Sequence, residues 1–216
     1  MSTATFDIEC RAYDRATGVR LPVNPKLFTN LTYSYVERGG AEMATASIKL
    51  PFESVPVNNG DSLEIWALNS NEIVPRWRGN IGVVERNLKM AEESVLTAYG
   101  RMEDMMHAVI DKVIVHPNSL VNGATEPGAD LSVFAADIYA DYVARLSQST
   151  AAYQPWTNFV TDIQVTGINL STLDASLTTA RAAMDALADQ AGTNVVWGWD
   201  IDPIKGFDRF YVRPRS

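Results

Sequence analysis

Cysteine and histidine, the side chains that most often carry covalent or metal chemistry, are nearly absent from this 216-residue chain, which has one Cys and two His. Cys10 cannot close an intramolecular disulfide and leaves the chain one thiolate short of any zinc site with two Cys ligands. Its place in an alternating stretch reads as that of a small buried apolar residue. His107 and His116 alone exclude a three-histidine metal site, and neither lies in a Gly-x-Ser-x-Gly elbow. No nucleophile–base pair can therefore be read from the chain, and no catalytic residue is assigned. Basic residues are also short: 18 Lys and Arg against 26 Asp and Glu give a net charge of −8. A broad phosphate-neutralising surface is disfavoured, so stable nucleic-acid binding is not expected. No stretch approaches the ~20 apolar residues of a membrane helix, and the first residues lack a basic segment followed by an apolar one. Synthesis in a cytosol without membrane anchoring is the expectation. Phosphate-loop and dinucleotide glycine patterns are missing as well, so no cofactor is expected.

What is present is an ordinary globular composition, 46% apolar, 20% charged and 9% aromatic, which predicts a folded chain. The first hundred residues read as strands. Phe6, Ile8, Cys10 and Ala12 alternate with polar neighbours, the period of a strand with one buried face. Residues 31–36 and 44–50 flank a glycine-bearing turn and predict a hairpin with Gly39 and Gly40 at its tip. Asn58, Asn59, Gly60 and Asp61 form a turn signal ahead of a strand at 62–68, and further strands are predicted at 76–85 and 93–99. The near-regular spacing of these short strands suggests a small β-barrel or sandwich.

Beyond Gly100 the pattern changes to a mixed one, with a strand at 109–115 and an exposed connector at 117–128. Asp130 can cap a helix near 130–147, in which Leu131, Phe134, Ile138, Tyr142 and Leu146 draw an apolar stripe. Ser171 and Asp174 resemble a capping box for a second helix near 172–191, which Gly192 closes. Two strands follow, at 194–199 and 207–213. The expected fold is thus mostly β with an α+β second half: a barrel or sandwich module over 1–105, then a two-helix module with further strands over 106–216.

Among polar clusters, Asp200, Asp202 and Asp208 are the strongest candidates for a cation, since alternate carboxylates in a loop can converge. They lack the glycine and distal glutamate of the familiar calcium loop, and a solvated loop is the simpler reading. Glu85, Glu92, Glu93 and Glu103 could each be nominated as glycosidase carboxylates, but no motif ties any of them to a mechanism. Trp197 and Trp199, two apart in a strand where tryptophans more often fill cores or interfaces than stack on sugars, share a face and would form an apolar patch needing cover, for which a neighbouring subunit is one solution.

Several of these features together resemble bacteriophage tail baseplate-hub proteins. They are the hairpin from Tyr33 to Leu50 with Gly39 and Gly40, Asn59-Gly60-Asp61 leading to Trp66, the Trp77–Ile81 and Val95–Gly100 segments, Thr166-Gly167 ahead of a helix, Ala191-Gly192, the Val195–Asp200 strand, and a closing strand to Pro214. The resemblance implies a non-enzymatic virion protein at the tail tip or baseplate. It would form a ring with copies of itself, a trimer being favoured, and would join the tail tube to the spike and other tip proteins. On this view Gly39, Gly40, Trp197 and Trp199 are interface candidates. Family hubs are often longer, which leaves open two expectations, that a downstream domain is missing or that another polypeptide supplies it. An acidic chain suits a channel that DNA must traverse without sticking. Two other readings are a tail-tip domain that binds carbohydrate or degrades cell wall, with aromatics stacking on sugars, and a sixfold distal-tail ring subunit.

Overall fold

The computed structural model describes residues 8–67, 74–86, 93–116, 118–121, 124–149, 159–192 and 194–215. The first half runs β1 (Ile8–Tyr13), β2 (Phe28–Val36), β3 (Gly39–Ile48), β4 (Ser62–Ala67), β5 (Trp77–Arg86) and β6 (Ser94–Tyr99). A short helix α1 (Arg101–His107) follows, then the small strands β7 (Val109–Ile110), β8 (Val113–Val115), β9 (Asn118–Val121), β10 (Ala124–Pro127) and β11 (Ala129–Asp130). Next come α2 (Leu131–Ser149), β12 (Val160–Ile163), β13 (Asn169–Leu170), β14 (Thr172–Asp174), β15 (Thr178–Thr179), α3 (Ala180–Gln190), β16 (Val195–Ile201) and β17 (Asp208–Pro214).

The long strands join one mixed sheet in the order β1-β4-β5-β6-β3-β16-β17-β12, with β2 on the other side of β3. The protein is mostly β with an α+β part, as the alternation and the helical stripe foretold. The sheet does not close into a barrel: among the described residues β1 and β12 remain at its ends and β2 pairs only with β3. Beside β3, β6 covers residues 43–48 and β16 takes residues 39–40 in parallel register, so two strands from different halves share one edge. Gly100 allows the handover. A Cβ there would run into the Ala41 carbonyl, and the chain turns away at this point into α1.

Two apolar clusters sit on this framework. One gathers Cys10, Ala12, Ile48, Leu63, Ile65, Trp77, Ile81 and Leu96. The other draws Met102 and Met105 of α1, the stripe of α2, Ala183, Met184 and Leu187 of α3, and Trp197, Trp199, Phe210 and Val212 of the sheet. Both arise from period-2 or period-3.6 placement of apolar residues, and each fully buried large side chain contributes about 1.5–3 kcal/mol.

Local chemistry explains where the elements depart from the pattern. The strand expected over 109–115 is split into β7 and β8, each paired to a different short strand, β15 and β14. The second helix starts at Ala180, not near 172. Leu173 is taken by a ladder with Ile114, Asp174 caps its own turn through the Ser176 N–H, and Leu177 has a positive φ of 53° that no helix accepts. Thr179 is the cap, its hydroxyl accepting from the Ala182 N–H at 3.1 Å. Asp130 does cap α2, accepting from Ser132 N–H at 2.8 Å, and also holds the Thr166 and Gly167 N–H groups. Although burial opposes it, these hydrogen bonds hold the Asp130 carboxyl below its usual range. Part of the expected connector at 117–128 is the β9–β10 ladder. Among the described residues no helix is long and apolar enough to cross a membrane.

Candidate functional site

The residues singled out as interface candidates meet inside the chain. Gly39 lies opposite Gly198 and Gly40 opposite Trp199 in the parallel bridge between β3 and β16. The hairpin turn itself is at Glu37 and Arg38, and the glycines already belong to β3. A Cβ on Gly40 would lie 2.5 Å from the Trp199 nitrogen and closer still to its carbonyl oxygen. A Cβ on Gly198 would lie 2.6 Å from the Gly40 nitrogen. These glycines therefore permit two backbones to touch, which corrects their reading as an exposed tip.

Trp197 and Trp199 are 0% and 1% exposed, so of the two open readings, core and interface, the chain's own helices supply the cover. The Trp197 indole N–H donates to Asp185 at 3.1 Å, and that of Trp199 points at the Met105 sulfur at 3.1 Å. Burial pushes the Asp185 carboxyl up, against the Trp197 hydrogen bond. Around Trp199 stand Phe210, Tyr142, Phe159 and Tyr139, with ring centroids 5.3–6.1 Å away. The hairpin tip is tied down as well: Arg38 pairs with Asp189 and donates to the Gly192 carbonyl beyond the end of α3, and Arg215 pairs with Glu37.

Beside this seam lies a buried ionic cluster that no motif announced. Arg78 on β5 pairs with Glu64 on β4 at 2.6 Å and with Asp208 on β17 at 3.1 Å. Arg101, the first residue of α1, pairs with the other oxygen of Asp208 at 2.8 Å and with Asp104 at 3.0 Å. Glu64 also accepts from the Trp66 indole N–H at 2.9 Å. The side chains of Arg101, Asp208, Glu64 and Arg78 are 3%, 6%, 5% and 11% exposed, so the pairs act in a low-dielectric interior. Burial works against both guanidinium charges, but the carboxylates outweigh it and hold Arg78 and Arg101 above their ordinary value. The cluster links strands of the first half to the last strand and to α1. Chemically it is a weld: every charge touches one of opposite sign, three carboxylates around two guanidinium groups that cannot shed their protons, although one Arg101 nitrogen is buried without a hydrogen-bond partner.

The three aspartates considered for a cation are dispersed. Asp200 faces Arg209 and Arg213, Asp202 accepts from the Ile204 and Lys205 N–H groups of its own turn, and Asp208 belongs to the buried cluster. Alternation in β17 sends Asp208 inward while Arg209, opposite Asp200, points to the other face. Among the described residues no group of three His, Cys, Asp or Glu is placed to hold a metal.

The remaining nominees are similarly scattered. His107 is exposed beside Glu103, whereas His116 contacts Asp137 at 2.7 Å. Glu85 is exposed, Glu93 is buried, and Glu92 lies outside the described residues. Cys10 is 2% exposed, and burial pushes its thiol up to about 12. It is thus expected to resist a thiol reagent at neutral pH in the folded protein, and to react stoichiometrically once denaturant exposes it. Rapid labelling of the native protein would contradict that environment.

The structure thus defines a β-rich mixed-sheet protein with its helices packed over the second half. No family model matches the chain, and no curated protein is detectably similar to it in sequence. Its fold is similar to the crystal structure of the tail protein from Neisseria meningitidis MC58, with a TM-score of 0.51 and 14% identity. The match covers 95% of this chain and 50% of that one, so this chain spans half the length of its neighbour. At this identity the likeness is one of fold.

Proposed function

We propose that this chain is a structural protein of a phage tail, a hub or baseplate component that joins the tail tube to the tip or spike. One observation carries the reading: nearly the whole chain follows the fold of a protein described as a tail protein, although almost no sequence is shared. The hub-like order of turns and strands gives independent support. On this reading the protein has no substrate. It resides in the virion after synthesis in the host cytoplasm, and it works by forming a ring with copies of itself, three being favoured, in contact with tube and tip proteins.

Light scattering and negative-stain imaging of the purified chain, alone and mixed with tail-tube protein, test the reading. Rings, alone or on tube ends, are expected. A strict monomer that ignores tube protein, or release of reducing ends from peptidoglycan, would overturn it.

A further inference from the structure

Two polar atoms beside the ionic cluster are buried and unpaired among the described residues. Arg101 donates from Nε to Asp208 at 2.8 Å and from Nη1 to Asp104 at 3.0 Å, but its Nη2 has no hydrogen-bond partner. The Tyr142 hydroxyl on α2 has none either. The two residues are 3% and 0% exposed, so bulk solvent reaches neither group. They flank one aromatic cage. The Arg101 guanidinium sits 5.5 Å from the centroid of Phe159, and Phe159 and Tyr142 stand 5.3 Å and 5.8 Å from the same Trp199 ring. The Trp199 N–H in turn points at the sulfur of Met105, one turn beyond Arg101 on α1. The hydroxyl also senses the cluster: burial pushes it well above its ordinary value, and the charges of Asp104, Arg101 and Asp208 all act on it. A hydroxyl and a guanidinium N–H left dry in such a place would bear their full desolvation penalty.

We infer that Arg101 Nη2 and Tyr142 Oη are the two ends of a buried site for one water molecule, which fastens α2 to the ionic cluster. The chemistry selects the ligand. Arg101 Nη2 can only donate, so the ligand must accept, and a cation is excluded. The cluster already sets three carboxylates against two guanidinium groups, so an anion would add to an excess of negative charge. A neutral acceptor remains, and the rings of Phe159, Trp199 and Tyr142 around it admit only a small one. The two atoms do not bond each other, which is the separation that a bridging water fills. Water accepts from Arg101 and donates to the tyrosine oxygen, as internal waters do for polar groups that the fold leaves unsatisfied. Hydrogen bonds then run without a break from Glu64 on β4 through Arg78, Asp208 and Arg101 to Tyr142 on α2. The site concerns how the two halves are joined and stands independently of the tail reading.

The test compares the wild-type chain with Tyr142→Phe, which removes the hydroxyl alone. Oxygen-17 relaxation dispersion, which counts waters held longer than the protein takes to tumble, is expected to read one fewer in the variant. The denaturant midpoint should fall as well, because Arg101 Nη2 loses its bridged partner, while tryptophan emission stays native to show that the variant folds. A crystal structure of the wild-type chain should place one density peak within hydrogen-bond distance of both Arg101 Nη2 and Tyr142 Oη. An equal water count in the two proteins overturns the site, and so does a raised midpoint, the result of deleting a hydroxyl that had no partner. A direct Arg101–Tyr142 hydrogen bond in the crystal, or a side chain in place of the peak, overturns it too. Should Tyr142→Phe fail to fold, the wild-type crystal structure decides alone. Failure of rings to form, by contrast, bears on the tail reading and leaves the water count intact.

Discussion

Replacing Asp208 with alanine is expected to cost about 3–5 kcal/mol of stability, the range found when one partner of a buried ion pair is removed. The carboxylate serves two guanidinium groups at once, Arg78 at 3.1 Å and Arg101 at 2.8 Å. Neither can be neutralised by giving up a proton, so both would be left as buried charges with Glu64 and Asp104 as their remaining partners. Asp208→Asn should fall between wild type and alanine, since its amide oxygen can still accept one hydrogen bond but carries no charge. The comparison is Asp162→Ala. Asp162 pairs with Arg213 at 3.0 Å with both side chains about a third exposed, and its loss should cost less than about 1 kcal/mol. Denaturant midpoints of the three variants decide the matter: equal costs at Asp208 and Asp162 would mean that the cluster is solvated and does not weld the halves.

The same cluster shows why part of the molecule was hidden in the sequence. Alternation at Cys10 and Ala12, at Leu63 and Ile65, and at Leu96 and Ala98 placed the long strands, because those side chains fill one core by period two alone. The α2 stripe was equally plain. Arg101 and Asp208, however, are 107 residues apart, and nothing local marks either as buried. Arg101 reads as a surface residue until Asp208 is known to face it. Helix α1 is only seven residues long and Gly100 caps it without a side-chain bond, so the acidic Glu103 and Asp104 of its first turn are a weak start signal on too short a stretch to show a helical period. The four-residue strand β12 is held by parallel pairing to β17, a long-range contact that its own composition does not encode.

Of the candidate interface, the residues were legible but their role was not. Adjacent glycines read most simply as a turn, the commonest use of such a pair, and two tryptophans on one face of a strand read as a patch that needs cover from some quarter. One signal pointed the other way. Gly198 stands between Trp197 and Trp199, and a glycine inside an otherwise bulky strand marks the close approach of another backbone. That approach is made by Gly40. The acidic triad failed for a related reason: strand alternation and turn capping send neighbouring carboxylates to three different surroundings, which spacing along the chain cannot reveal.

The seam makes a second large effect measurable. Gly40→Val is expected to destabilise the protein by about 2–5 kcal/mol, from two sources. Its φ of +78° is a conformation that costs a residue with a Cβ about 1–2 kcal/mol. The added carbon also meets the backbone of Trp199, and a main chain held in a ladder cannot swing aside as a side-chain end can. Forced overpacking of this kind adds about 1–3 kcal/mol. Gly192→Ala separates the two sources. Its φ is +67° but no atom lies within 4 Å of the new Cβ, so only the conformational part, about 1 kcal/mol, should appear. Because β16 would be pushed from β3 in Gly40→Val, tryptophan emission should shift to the red before global unfolding. In Gly192→Ala it should stay at the native wavelength. A Gly40→Val protein as stable as Gly192→Ala, with native emission, would show that the two halves of the sheet are not in contact at this point.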